Sequence, residues 1–236
     1  MSINTKYRTE TPEIMDDFTL EGEVLREALD KIAKINQFLG GNSLTLNGVK
    51  ELILTVPKSR LITIVDVGCG NGDMLRVLSN YGKENNYSFN LIGIDANAFT
   101  VNHAKKLSES YSNITFQCED IFEFDFSQSK CDIILCTLTL HHFKNEEIES
   151  LLTTFYDNSK LGIVVNDLQR SSLAYRLFQI ICFLFQLNSM SREDGLTSIL
   201  RGFKKEELET FSKKLGFKKY TIQWKWAFRY QWIIWK

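Results

Sequence analysis

The chain has 236 residues, of which 44% are hydrophobic and 24% charged, enough for a sizeable core in one or two domains. Its 28 basic and 29 acidic side chains leave a formal net charge of -1, which gives a polyanion no general attraction and makes nucleic acid an unexpected partner. The five cysteines, Cys69, Cys118, Cys131, Cys136 and Cys182, form no C-x-x-C pair. They are expected to be reduced thiols of a cytoplasmic protein rather than disulfides or zinc ligands, and no metal ligand set is expected.

The first 20 residues are polar and aperiodic, without the apolar run of a secretory signal. Val24, Leu25, Ala28, Leu29, Ile32, Ile35, Phe38 and Leu39 recur at helical spacing, which predicts a helix over 21–39 stopped by Gly40 and Gly41. A second short helix is expected over 46–54, before Pro57. From Leu61 the pattern changes to compact apolar runs, expected as strands over 61–67, 89–94, 114–116, 131–136 and 162–165. Helical patterns separate them at 74–81, 100–110 and 145–155, the alternation of βαβ units. An apolar helix over 173–187 follows the fifth strand, then a charged, Gly-containing stretch (191–198) read as a loop bordering a pocket. A helix over 206–215 and two aromatic-rich strands, 217–225 and 227–235, close the chain as an expected hairpin at the sheet edge. The predicted fold is therefore α/β: a Rossmann-like, doubly wound, mostly parallel seven-stranded sheet whose last strand is antiparallel. N-terminal helices (1–58) are expected to cap a domain over 59–236, with a helical insertion at about 170–203.

The strongest local signal is Val65-Asp66-Val67-Gly68-Cys69-Gly70-Asn71-Gly72-Asp73, at the carboxyl end of the first strand. Ligands bind at that edge of an open α/β sheet, where glycines let bare backbone approach and the next helix presents free N–H groups. The G-x-G-x-G spacing departs from the dinucleotide G-x-G-x-x-G, and the Lys-Ser/Thr ending of a phosphate loop is absent. Asp66 suits a ligand with an ammonium group and a sulfonium centre better than a diphosphate. Asp95, after Leu91-Ile92-Gly93-Ile94 and before Ala96, can accept from both hydroxyls of a ribose. Asp120 can accept from an adenine amino group, with Ile121 against the ring.

These successive features, together with Cys131 to Phe143, resemble class I S-adenosylmethionine-dependent methyltransferases, and are similar to the quinone-biosynthesis-like small-molecule enzymes among them. The resemblance covers about 61–167 well and the C-terminal part more loosely. It implies S-adenosyl-L-methionine as cofactor, with the methionine part at Asp66, Gly68, Cys69 and Gly70, the ribose at Asp95 and Ala96, and the adenine at Asp120 and Ile121. It also implies backbone contacts to the amino group from about Cys136 and Thr137 to Leu138.

Methyl transfer to a hydroxyl needs a place for the proton, and histidine serves near neutral pH. His141 and His142 follow the fourth strand, and one of them, His142 by preference, is expected at the acceptor. The alternative is that both anchor the helix beginning near Asn145. Asn166, Asp167 and Arg170, after the fifth strand, are expected either to orient an acceptor or to cap the next helix. His103 reads as structural. Residues 173–187 read either as a lid over an apolar acceptor or as core or a dimer contact; peripheral membrane contact stays open. Asn166-Asp167-Leu168-Gln169-Arg170 followed by Asp194-Gly195-Leu196-Thr197-Ser198 is similar to methyltransferases of bacterial polyketide or phenolic-lipid pathways, which implies a phenolic, quinol or polyketide-type hydroxyl as acceptor. The rival readings are a methyltransferase for RNA or protein, for which no basic groove or N-P-P-Y-type motif is present, and a non-catalytic binding protein.

Overall fold

The structure, a computed structural model, describes residues 3–126 and 131–236; the first two residues of the polar N-terminal stretch lie outside these. Seven strands form one sheet in the order β3-β2-β1-β4-β5-β7-β6: β1 (Leu61–Val67), β2 (Ser88–Asp95), β3 (Ile114–Cys118), β4 (Ile133–Thr137), β5 (Gly162–Leu168), β6 (Lys219–Lys225) and β7 (Arg229–Trp235). The first five are parallel and β7 runs antiparallel between β5 and β6, as the sequence predicts. The three-residue connection 226–228 pairs Lys225 with Arg229, which fixes the hairpin register that the sequence left open.

Alternate residues of the parallel strands feed two cores, because strand side chains point to opposite faces. Ile62, Ile64, Ile133, Leu135 and Val164 meet the helices α2 (Gly41–Ile53), α3 (Asp73–Asn85) and α4 (Ala98–Leu107). Val65, Val67, Ile134, Cys136, Ile163 and Val165 meet α5 (Asn145–Asn158) and α8 (Lys205–Lys214). A third, smaller core joins α1 (Glu23–Phe38) to Met190 of α7 (Ser189–Arg201), with Met15, Leu20 and Phe99 alongside. With α6 (Ser172–Leu184), these elements roof the carboxyl edge of the sheet.

Three sequence expectations change. Helix α2 starts at Gly41, five residues earlier than expected, because its polar first turn is held by side-chain bonding: Asn166 Nδ2 donates to Gly41 O (2.9 Å) and to Thr45 Oγ1 (3.0 Å). Val49, Leu52 and Ile53 then belong to the sheet core, so α2 is a layer of the main domain rather than part of a cap. Residues 191–198, read as a loop, lie within α7, which Asn188 caps by accepting from Ser191 N at 2.8 Å. Gly195 disguised this helix; a Cβ there would lie 2.3 Å from Phe178 Cζ, so the glycine is where α7 crosses α6.

The same close approach recurs at Gly48, where a Cβ would meet Val164 Cγ1 at 2.6 Å. Gly48→Val should push α2 off β5 and cost roughly 1–3 kcal/mol of overpacking, at about 2–4 °C of Tm per kcal/mol. Differential scanning calorimetry against the unsubstituted protein measures this, and an unchanged Tm for the valine variant would refute the packing assignment.

Candidate active site

The strands β1 and β4 are neighbours, yet α3 leaves β1 toward one face and α5 leaves β4 toward the other. A crevice opens where the connections diverge. It widens into a cavity of about 750 Å³, toward the upper end of the range for small-ligand sites (about 300–1,000 Å³). The cavity runs from the glycine loop to the two adjacent histidines, under α1, α6 and α7.

At the loop end, Gly68, Gly70 and Gly72 have φ of 65°, 52° and 77°, the left-handed region that glycine occupies without strain. A Cβ on Gly68 would fall 2.4 Å from Thr139 Cγ2, whereas one on Gly70 would project into open space, so the loop presents bare backbone to the cavity. Asp95 holds the loop closed: Oδ2 accepts from Gly70 N and Oδ1 from Asn97 N, each at 3.1 Å. Leu138, at φ 55°, turns the chain sharply after β4 and donates its N–H to Asn166 O at 2.9 Å.

Three acids crowd this end. Burial and the neighbouring Asp73 and Asp95 raise the Asp66 carboxyl well above the usual carboxylate range. Burial likewise raises Asp73, which Asn42 Nδ2 approaches at 2.8 Å, and Asp95. Asp66 Oδ1 is buried without a hydrogen-bond partner. Arg229, also in the cavity wall, is a buried guanidinium whose Nε and Nη1 are unpartnered. A carboxyl lacking a partner beside bare glycine backbone suits a ligand that brings its own cationic donor.

At the far end, a 3-10 turn (Leu140–His142) carries the histidines. His141 is buried, with Nδ1 2.7 Å from Asp167 Oδ1; His142 is half-buried, with Nδ1 2.6 Å from Asp16 Oδ1. Glu13 lies between their Nε2 atoms and receives Ser198 Oγ–H at 2.7 Å. Burial pushes the Glu13 carboxyl up to about 7. Burial would also raise Asp167, but the charge and hydrogen bond of His141 hold it below the usual range. The N-terminal segment is docked by Asp194, whose carboxylate accepts from Ile14 N (2.7 Å) and Met15 N (3.0 Å), and by an Arg201–Asp16 ion pair at 2.6 Å.

The cavity collects Asp66, Gly68, Cys69, Gly70, Asp95, Ala96, Asp120, Ile121, Thr137, His141 and His142 from the sequence-derived set. Cys136 is absent from the wall; its side chain is in the core beneath α5, and Thr137 and Leu138 reach the cavity instead. The three residues expected at the acceptor need correction. Asn166 anchors α2, Asp167 holds His141, and Arg170 pairs with Glu207 (2.6 Å) while donating to the carbonyls of Thr5, Lys6 and Gly202. None of the three lines the cavity; their donors and the Asp167 carboxylate are taken by neighbouring elements, while Asn166 Oδ1 is buried without a partner. Glu13, Asp16 and Arg229 were not anticipated, since they come from distant or aperiodic segments; Asp194 and Ser198 lie in the stretch expected to border a pocket and line the cavity, from a helix rather than a loop. His103 is structural as read: its Nε2 is 2.8 Å from Asp30 Oδ1, which also accepts from Asn71 of the glycine loop. All five cysteines are free, and only Cys118 is exposed.

Residues 64–162 match the family model described as "Methyltransferase domain". Over 182 residues the chain is 24% identical to the carboxy-S-adenosyl-L-methionine synthase of Helicobacter hepaticus, covering 72% of this chain and 74% of that protein. Its fold is similar to that of the plantazolicin methyltransferase BpumL in complex with SAH (TM-score 0.66, 19% identity, 88% and 89% of the two chains). It is also similar to that of the magnesium protoporphyrin IX methyltransferase from Synechocystis PCC 6803 with bound SAH (TM-score 0.55, 18% identity, 83% and 81%).

The orphaned acid has a measurable signature. The Asp66 pKa is raised on folding, so stability present below the unfolded value, about 4, is lost as pH rises through the folded value. Asp66→Asn should therefore raise the Tm of the ligand-free protein at pH 7 and flatten its fall between pH 5 and 7. A lower Tm would show that Asp66 has a stabilising partner.

Proposed function

We propose that this chain, whose residues 64–162 match a methyltransferase-domain model, is an S-adenosylmethionine-dependent enzyme that methylates a hydroxyl of a small, largely apolar acceptor. The observation that carries this reading is one continuous cavity with a charged, glycine-lined end and an apolar body, closed by a histidine–carboxylate end.

The residues at the loop end fit S-adenosylmethionine. Bare backbone at Gly68 and Gly70 admits the amino-acid part, and unpartnered Asp66 would meet its ammonium. Asp95 would take the ribose, and Asp120 and Ile121 would hold the adenine at the rim. The group supplies a methyl on a cationic sulfur, which leaves as a neutral thioether. The chain's contribution is to position, desolvate and handle the proton. Leu25, Leu29, Ile32, Leu177, Phe178 and Ile181 form an apolar wall beyond the loop, which favours an acceptor with a hydrophobic body. His142, half-buried and in the wall, would meet the acceptor oxygen through Nε2, while Asp16 holds its ring from the other side. The phenolic, quinol or polyketide-type acceptor rests on this combination of apolar wall and imidazole. Among the described residues no helix is long and apolar enough to cross a membrane.

Two measurements test the reading. Incubation with methyl-labelled donor and fractionated extract, followed by mass spectrometry, should give an O-methylated apolar product and an equal amount of S-adenosylhomocysteine. Label found only on a protein or RNA, or a donor that gains mass instead of losing its methyl, would overturn it. His142→Ala should lower kcat by roughly 100-fold or more while the donor Kd stays within about threefold. Unchanged turnover would remove His142 from the acceptor site.

A further inference from the structure

We propose that Glu13, His141 and His142 form a binding site for one divalent transition-metal cation of the Zn2+ or Mn2+ class at the acceptor end of the cavity. The carboxylates on the Nδ1 side, Asp167 for His141 and Asp16 for His142, fix the hydrogen there and leave the Nε2 lone pairs bare. This carboxylate–histidine arrangement is the usual outer support of a metal-binding imidazole, and here it occurs twice. Both Nε2 atoms turn toward one carboxylate: His141 Nε2 is 3.6 Å from Glu13 Oε1, and His142 Nε2 is 4.0 Å from Glu13 Oε2. The ligand atoms of the three residues lie within 4.8 Å of one another. Glu13 and His141 are more than nine-tenths buried, and Glu13 Oε1 and His141 Nε2 have no hydrogen-bond partner.

The distances discriminate between occupants. A proton shared directly would draw nitrogen and oxygen to about 2.7–3.0 Å, as it does on both Nδ1 sides. A water hydrogen-bonded to both at about 2.8 Å would spread them to roughly 4.6 Å. A tetrahedral ion bound at about 2.0–2.1 Å sets its ligands roughly 3.3 Å apart. The His141 separation, 3.6 Å, is nearest the last, while the His142 separation, 4.0 Å, lies midway between the ion and the water values.

The surrounding charge agrees. Glu13, Asp16, Asp167 and Asp194 place four carboxylates around the site. Arg201 (3.9 Å from Glu13, 2.6 Å from Asp16) and Arg8 (through His141 O at 2.9 Å) bring two guanidiniums, and Arg229 faces Asp167 from β7. The two imidazoles and one carboxylate form a three-ligand set that leaves a coordination position for a small oxygen ligand. For its role this inference rests on the proposed methyl transfer: an ion there would occupy the His142 Nε2 lone pair, and in the loaded enzyme the ion, by lowering the pKa of a bound acceptor hydroxyl, would activate it in place of the free imidazole. The binding itself does not rest on it.

The test is a calorimetric titration of MnCl2, and separately ZnCl2, into the chelator-treated full-length protein without methyl donor. A Cys118→Ser background removes the exposed thiol. One ion per chain is expected, with a Kd of micromolar order. Glu13→Gln and His142→Ala should each weaken it at least tenfold, and Asp167→Asn, which acts through His141, by about 10–100-fold. Glu13→Gln keeps shape, and its Tm checks that it folds. No saturable one-to-one binding below about 100 µM, or binding unmoved by Glu13→Gln and His142→Ala, would overturn the site. Because the titration contains no methyl donor, failure of the transferase reading leaves its result intact.

Discussion

The divergence of the connections at β1 and β4 is the constraint on which the rest of this structure depends. Strand β1 sits between β2 and β4, and its helix must pack on the face opposite to that of the helix after β4. Neither helix can cover the gap above the strand ends. The loops there must close on one another, as Gly70 does on Asp95, or be covered from elsewhere. The N-terminal segment, α1, α6 and α7 provide that cover, and the volume they enclose is the cavity.

Covering the crevice has an electrostatic consequence. Asp66, Asp73 and Asp95 would ionise normally on an open edge; beneath a roof their carboxyls are raised, and Asp66 keeps an unpaired oxygen. The protein tolerates a locally unfavourable arrangement there, the usual tension between stability and a polar site. At the other end the roof also supplies side chains. It brings Glu13 and Asp16 onto the histidines, so a segment without periodic pattern becomes part of the site.

Residues also exchanged roles between the sequence reading and the fold. Asn166 and Arg170 sit where an acceptor was expected, yet they bind the chain to itself, one under α2 and the other against the N-terminal carbonyls. Asp167 acts one step removed, through His141. Polar residues at a strand end announce an unmet hydrogen-bonding need, but not whether a ligand or another loop meets it.

The strand and helix alternation, the glycine loop and the acids at the ends of β1 and β2 and after β3 were legible because they depend on local spacing. Apolar runs of strand length mark parallel strands covered on both faces, and left-handed turns at Gly68 to Gly72 require glycine whatever lies nearby. The start of α2, the helical state of residues 191–198 and the partners of the histidines were not legible. Each rests on a contact between residues far apart in the chain: Asn166 with Gly41, Gly195 with Phe178, Glu13 with His141. Sequence by itself determined the sheet and the floor of the site, since backbone geometry and burial periodicity are local. Only the tertiary structure decided its roof and its histidine–carboxylate end, since those arise when distant polar groups, shut off from water, must find one another.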